Sequence, residues 1–405
     1  SQRRPSPRAR SRPNRAETRP ENAAYEASIR ARLDELKQAF VTTSRMGDLT
    51  PQVEQIFDLT LAYATPSGDA SLLADINMLR REVRQLALVT AEDAGATRDL
   101  LAQNPHLARA VVLAVDPDRD NVNNAYAIVR MLAEKFPERV LDKDEGSSPG
   151  KPGTRPRTPP RRGADKSDLS NLVAAFCTVY DGPVGDKPAP VDRERVEKVF
   201  DYFSTNASRL SFGPETPTSL LAYVVSVDPR VTIDDLNWAM RGYGGNRAVG
   251  KLYHSIVYDT QAFKRGLPKK VEQAPGGVTL QNVRKYGGVC AEQAFFASNV
   301  GKAIGVPAVT VSARGSDVGH AWVGYLKSVG SGKSEWDFDE GRYKEYRDLR
   351  GDVTDPQSGK RIPDGYVGLT AGLLRNDGQI ETVTALLDGV ERMLQVEGAR
   401  LAYPP

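Results

Sequence analysis

Cysteine and histidine are scarce in this sequence. Its 405 residues contain two cysteines and three histidines, too few for a disulfide framework or for a structural zinc site of the usual ligand spacing. Aromatic residues make up only 7% of the chain, and no apolar run approaches the roughly 18 residues that a transmembrane helix needs. We therefore expect no membrane span, no metal and no other cofactor.

A large excess of either charge is also missing. The 55 Lys and Arg residues nearly balance the 52 Asp and Glu residues, which leaves a net charge of +3. The whole chain therefore shows no need for a nucleic-acid or membrane partner. Basic residues concentrate only in residues 1–20 and 151–162, where no aromatic residues interleave the arginines, so a nucleic-acid binder acting through them is the least favoured hypothesis. Compartment and oligomeric state stay open.

Composition and apolar periodicity divide the chain into five segments. Apolar residues recur every three or four positions in the first half, which predicts a bundle of helices. A stretch rich in Pro, Gly and Arg without such periodicity then predicts a linker. The predicted segments are a disordered Arg/Pro-rich tail (1–25), a helical region (26–142), a disordered linker (143–168), a mixed domain (169–376) and a C-terminal helix (377–405).

One cysteine lies where its thiol could be reactive. The stretch "YGGVCAEQAFFASNVGKAIGVP" predicts a helix that starts at Cys290 and ends at Gly305, before Pro307. The peptide dipoles and free N–H groups of a helix start favour a thiolate, which is the nucleophilic form of cysteine. Gly287 and Gly288 would let the backbone approach a substrate closely. The other cysteine, Cys177, is expected to pack as a small apolar side chain.

A histidine follows in the next predicted elements. "PAVTVSA" and "HAWVGYL" alternate like two antiparallel strands, and His320 begins the second of them. A third predicted strand, "SEWDFDEGRY", carries Asp337, Asp339 and Glu340. A carboxylate beside His320 would fix its tautomer and orientation. The order of cysteine at a helix start, histidine at a strand start and acid on the next strand predicts a nucleophile, a base and an orienting residue.

These motifs resemble the transglutaminase-like superfamily of cysteine enzymes. The likeness spans about residues 277–345 and rests on "YGGVC", "GKAIGVPA", "GHAWV" and the acids after Trp336. It implies a papain-like arrangement with Cys290 as nucleophile, His320 as base and a nearby carboxylate as the third catalytic member. The family's Asp usually follows the strand tryptophan by about four residues and precedes Pro, a pattern that this sequence lacks. We prefer Asp339 for that role, with Asp337 and Glu340 as alternatives.

We thus predict an α+β chain, in which a helical N-terminal region precedes a transglutaminase-like domain of helices packed on a small antiparallel sheet. The predicted activity is acyl transfer from a protein or peptide substrate through a Cys290 thioester. Water as acceptor makes the chain a protease or amidase, which we favour, and an amine makes it a protein-glutamine acyltransferase. The alternative is a non-catalytic interaction module, which predicts that Cys290 is buried or that His320 points away from it.

Overall fold

Helices surround one five-stranded antiparallel sheet in this protein, which confirms the predicted α+β class. The structure is a computed structural model that describes residues 20–43, 45–67, 70–141, 168–182, 191–315, 319–329, 333–375 and 380–402. Most of the predicted tail and nearly all of the predicted linker lie outside these residues. Among the helices that are described, none has the length and apolar character required to cross a membrane.

The N-terminal helical region follows the predicted periodicity. Its apolar positions form a core in which Ile29, Leu33 and Leu36 are each at most 3% exposed, because residues three and four apart share one helix face. The first helix begins at Pro20, before Glu26. The helices are α1 (Pro20–Thr42), α2 (Thr50–Ser67), α3 (Ser71–Leu86), α4 (Ala91–Gln103), α5 (Pro105–Ala114), α6 (Val122–Lys135) and α7 (Pro137–Val140).

A second set of helices leads to the predicted nucleophile. They are α8 (Ser170–Val179), α9 (Arg193–Thr205), α10 (Thr218–Val225), α11 (Ile233–Tyr243), α12 (Val249–His254), α13 (Thr260–Arg265), α14 (Leu280–Tyr286) and α15 (Cys290–Ala303). Helix α15 is the central one, with Phe296 and Val300 fully buried. It ends two residues before Gly305, whose φ of 79° lies in the left-handed region that favours glycine.

The sheet lies against α15. Its strands are β1 (Ala308–Arg314), β2 (Gly319–Val329), β3 (Lys333–Asp337), β4 (Asp352–Thr354) and β5 (Arg361–Pro363), in the order β3-β2-β1-β4-β5. The first three strands form the consecutive antiparallel set that the alternation predicts, although β3 ends at Asp337 and not at the end of the predicted segment. Strands β4 and β5 fall in a stretch that the sequence indicates only as turns, since three residues are too few to show an alternation.

The chain ends against the helices with which it starts. After α16 (Asp364–Leu369), helix α17 (Ile380–Ala402) packs on α3 of the N-terminal region. Asp388 of α17 accepts hydrogen bonds from Asn77 (2.9 Å) and Arg81 (2.9 Å). Helix α17 therefore joins the N-terminal helices, of which α5 and α6 also contact α8.

Candidate active site

Cys290 is the first residue of α15 and is half-buried. The backbone N–H of Val289 donates to the Glu292 carboxylate (2.9 Å), which fixes the first turn of the helix. Glu292 is itself buried and paired with Lys269 (2.7 Å). Because the first N–H groups of a helix have no carbonyl partner within it, the Cys290 end of α15 supplies donors for an anion.

The two glycines before Cys290 have a packing role. Gly287 has a φ of 76°, and a Cβ there would lie 2.3 Å from the carbonyl oxygen of Val257. The N–H of Gly288 donates to that same oxygen (3.0 Å), and the Gly288 carbonyl accepts from the N–H of Asp259 (2.8 Å). The sequence suggests that these glycines approach a substrate, whereas in the structure they approach another part of the protein. Their pairing places Tyr258 beside the start of α15.

His320 is the second residue of β2 and only 5% exposed. Its Nε2 lies 2.6 Å from the carbonyl oxygen of Gly341. A carbonyl can only accept, so Nε2 carries the proton and Nδ1 of the neutral ring has a free lone pair. Burial lowers the pKa of His320, against the opposing effects of the Gly341 carbonyl and the Glu345 charge. The ring is therefore held in the neutral state that a general base requires.

Aromatic rings enclose the imidazole. Tyr343 stacks on His320 with ring centroids 4.0 Å apart, and Tyr346 lies at 4.9 Å. The segment that carries both tyrosines is held by Arg342, whose guanidinium donates to the carbonyl of Tyr346 (3.0 Å) and to that of Leu349. The packing of these rings and the hydrogen bonds from Arg342 together fix the His320 side chain in one orientation.

The acids predicted to orient His320 have other partners. Asp339 is exposed, and its N–H donates to Asp337 (2.9 Å). Asp337 accepts from Lys327 (3.0 Å), while Glu340 lies 3.3 Å from His254.

No hydrogen bond joins His320 to any of these three acids within the described ranges, and the Gly341 carbonyl occupies the position expected of the carboxylate. The carboxylate whose charge acts on His320 is that of Glu345. The catalytic role of Asp339 stays a prediction.

Cys290 and His320 share one cleft of about 630 Å³, a volume in the range of small-molecule and peptide sites. Helix α15 packs across β1 and β2, and this packing brings the helix start and the strand start together. Burial raises the pKa of Tyr258 to about 12, with a contribution from the Cys290 charge, so its hydroxyl keeps its proton at neutral pH. The cleft is lined by Tyr258, Phe263, Cys290, Arg314, Gly315, Gly319, His320, Tyr343, Glu345, Tyr346 and Leu349.

Several residues that line the cleft were not predicted from the sequence. Tyr343 ends the predicted third strand, and Tyr346 follows three residues later at the end of the short 3-10 helix Lys344–Tyr346, so the "RYKEY" stretch carries an aromatic signal where that predicted strand ends. Tyr258 and Phe263 have no comparable signal, because the chain contacts that bring them to Cys290 come from about 30 residues earlier in the sequence. Arg314 directly follows the predicted strand "PAVTVSA", where an exposed cation is ordinary.

The remaining potential ligands lie elsewhere. Cys177 is fully buried, and its thiol donates to the carbonyl of Ala174 (3.2 Å), in agreement with a packing role. Across the described ranges, no group of three or more His, Cys, Asp or Glu side chains could hold a metal ion. No family model, curated protein or solved structure matches this chain. The transglutaminase-like resemblance is therefore a hypothesis that rests on the residues quoted above.

Proposed function

We propose that this chain is a transglutaminase-like cysteine acyl-transfer enzyme that acts as a protease or amidase through a thioester on Cys290. The observation that carries the proposal is the shared cleft, in which a half-buried thiol at a helix start accompanies a buried histidine with a free Nδ1. A nucleophile, a base and a group that orients the base are the parts that covalent acyl transfer requires.

The reaction begins with proton transfer from the Cys290 thiol to Nδ1 of His320. The thiolate attacks the substrate carbonyl, and the oxygen becomes negative in the tetrahedral intermediate. Free N–H groups at the start of α15, that of Cys290 among them, are the donors for this oxyanion.

The imidazolium then returns its proton to the departing amine, which leaves the acyl group as a thioester. The Gly341 carbonyl favours the imidazolium in this step, because its hydrogen bond with Nε2 is stronger when the ring carries a positive charge. Water, with His320 as base, attacks the thioester to release the acid and restore the thiol. We favour water over an amine acceptor, since no described feature of the cleft identifies an amine site.

The rate of Cys290 alkylation by iodoacetamide as a function of pH tests this proposal. A Cys177→Ser background leaves one reporting thiol, and His320→Ala removes the base. We expect fast modification well below pH 8, with a loss of about tenfold or more in the His320 variant. Modification that rises only near pH 8.5 and is unchanged in the His320 variant would contradict the proposal and favour the non-catalytic interaction module.

A further inference from the structure

Exposed apolar side chains occur in the segment 257–267, which contributes to the cleft. Val257 is 72% exposed, Phe263 57% and Leu267 51%, and of these three Phe263 lines the cleft with Cys290. Large apolar residues at such exposure lose the stabilisation of burial, so a group of them at the edge of a cleft marks a binding surface.

This segment is held in place by its own hydrogen bonds. The carboxylate of Asp259, which is 8% exposed, accepts from the N–H of Ala262 (3.2 Å) and from that of Lys270 (3.3 Å). Helix α13 therefore has a fixed start, and it presents Phe263 against Tyr258 with ring centroids 6.0 Å apart and planes at 71°. An edge-to-face pair of this kind forms a preformed wall against which a further ring can pack.

One ring of this wall, that of Tyr258, lies beside the residue that would carry the acyl group. After the amine departs, the acyl part of the substrate stays bonded to Cys290, and Tyr258 is held beside that residue by its bridge to Gly288. The amine must receive its proton from His320, whose side of the cleft is covered by the stacked ring of Tyr343. A side chain next to the attacked carbonyl therefore lies in the same cleft as the Tyr258 and Phe263 rings.

One cation in the cleft is available to a ligand. Arg314 ends β1 opposite Gly319, is exposed, and forms no ion pair or side-chain hydrogen bond with any residue that the structure describes. The other charged group in the cleft, Glu345, acts on His320. A guanidinium binds a carboxylate through two parallel hydrogen bonds, so Arg314 is complementary to an acidic group of the substrate.

We propose that Tyr258 and Phe263 form the subsite for an aromatic side chain on the acyl part of a peptide substrate, and that Arg314 binds a carboxylate of the same peptide. The inference rests on the proposed acyl-transfer function and names its substrate class.

Affinity labels of the full chain test the subsite. In the Cys177→Ser background, the Cys290 thiolate displaces chloride from the methylene of a chloromethyl ketone, forming a C–S bond while chloride leaves with the bonding pair. The probes are the N-acetylglycine, N-acetylphenylalanine and N-succinylphenylalanine chloromethyl ketones, with rates normalised to those of glutathione. We expect the acetylphenylalanine probe to react about tenfold faster than the acetylglycine probe, and the succinyl probe severalfold faster again.

Two variants separate the two parts of the proposal. Phe263→Ala should remove most of the preference for phenylalanine, and Arg314→Gln only the gain from the succinyl carboxylate, with each probe rate divided by the iodoacetamide rate of the same variant. Leu394→Ala, which truncates a side chain 67% exposed on α17, is the matched control and should alter no rate. Equal rates for the glycine and phenylalanine probes, or a Phe263 variant that keeps the preference, would overturn the subsite while leaving the acyl-transfer proposal intact.

Binding of N-succinylphenylalaninamide, measured by calorimetry, tests the subsite without any reaction at Cys290. Binding that weakens about tenfold in Phe263→Ala and severalfold in Arg314→Gln supports the subsite even if the alkylation test refutes acyl transfer. The subsite proposal is overturned if the compound does not bind, or if both variants bind it as tightly as the protein without these substitutions.

Discussion

The carbonyl that orients His320 belongs to Gly341, and the structure indicates how much free energy of unfolding is lost when this glycine is replaced. Gly341 has a φ of 83°, and a Cβ there would lie 2.7 Å from the ring of Tyr253. That ring is 1% exposed, and its hydroxyl donates to the Ala321 carbonyl (3.0 Å), so it has no room to withdraw. In Gly341→Ala the positive φ costs about 1–2 kcal/mol. The backbone must also shift, and this shift strains or breaks the hydrogen bond from His320 to the carbonyl of residue 341, a loss of about 1 kcal/mol.

We therefore expect Gly341→Ala to reduce the free energy of unfolding by about 2–3 kcal/mol, measured by urea denaturation. Gly245→Ala is the matched control, because Gly245 has a φ of 80° but no atom within 4 Å of a Cβ; it should lose only about 1–2 kcal/mol. Only the Gly341 variant should also slow Cys290 alkylation at pH 6.5, by about tenfold or more. Equal effects of the two substitutions on stability and alkylation would refute this account of how His320 is held.

Two further predictions concern carboxylates. Asp339→Asn should leave the pH profile of Cys290 alkylation unchanged, whereas Glu345→Gln should move its acidic limb to lower pH, because the Glu345 charge raises the pKa of His320; the opposite pattern would restore Asp339 as the orienting residue. Burial raises the pKa of Asp120 to about 7 and that of Asp181 to about 8. The folded protein therefore keeps protons on these carboxyl groups that the unfolded chain releases above about pH 4. The free energy of unfolding should consequently fall as the pH rises from about 4 to about 8. Asp181→Asn should reduce this loss between pH 5 and pH 8 in urea denaturation, and an unchanged loss would show that Asp181 is not its source.

The parts of the site that follow a regular period were predictable from the sequence. The helical spacing after Cys290 and the alternation around His320 place each residue at the start of its element. In the structure α15 begins at Cys290, and β2 begins one residue before His320. Local pattern suffices for these residues, because their positions depend on neighbours a few residues away.

The remaining parts depend on contacts that no period records. His320 is bonded to the backbone of Gly341, and a carbonyl acceptor has no side-chain identity that a sequence could display. The acids on the third predicted strand were candidates because carboxylates are the familiar partners of histidine. In the structure β3 ends at Asp337, and Asp339 after it is exposed and forms no hydrogen bond with His320 among the described residues. Tyr258 reaches the site only through its bridge to Gly288, which joins two segments without a shared pattern.

The packing of α17 on α3 has a consequence for how the chain is made. Arg81 and Asp388, which meet across that contact, are 307 positions apart in the chain. At about 5–20 residues per second, a ribosome needs roughly 15–60 s to add the second partner after the first. The N-terminal helices are therefore synthesised, together with the whole cleft, before the helix that packs on α3 is available to them.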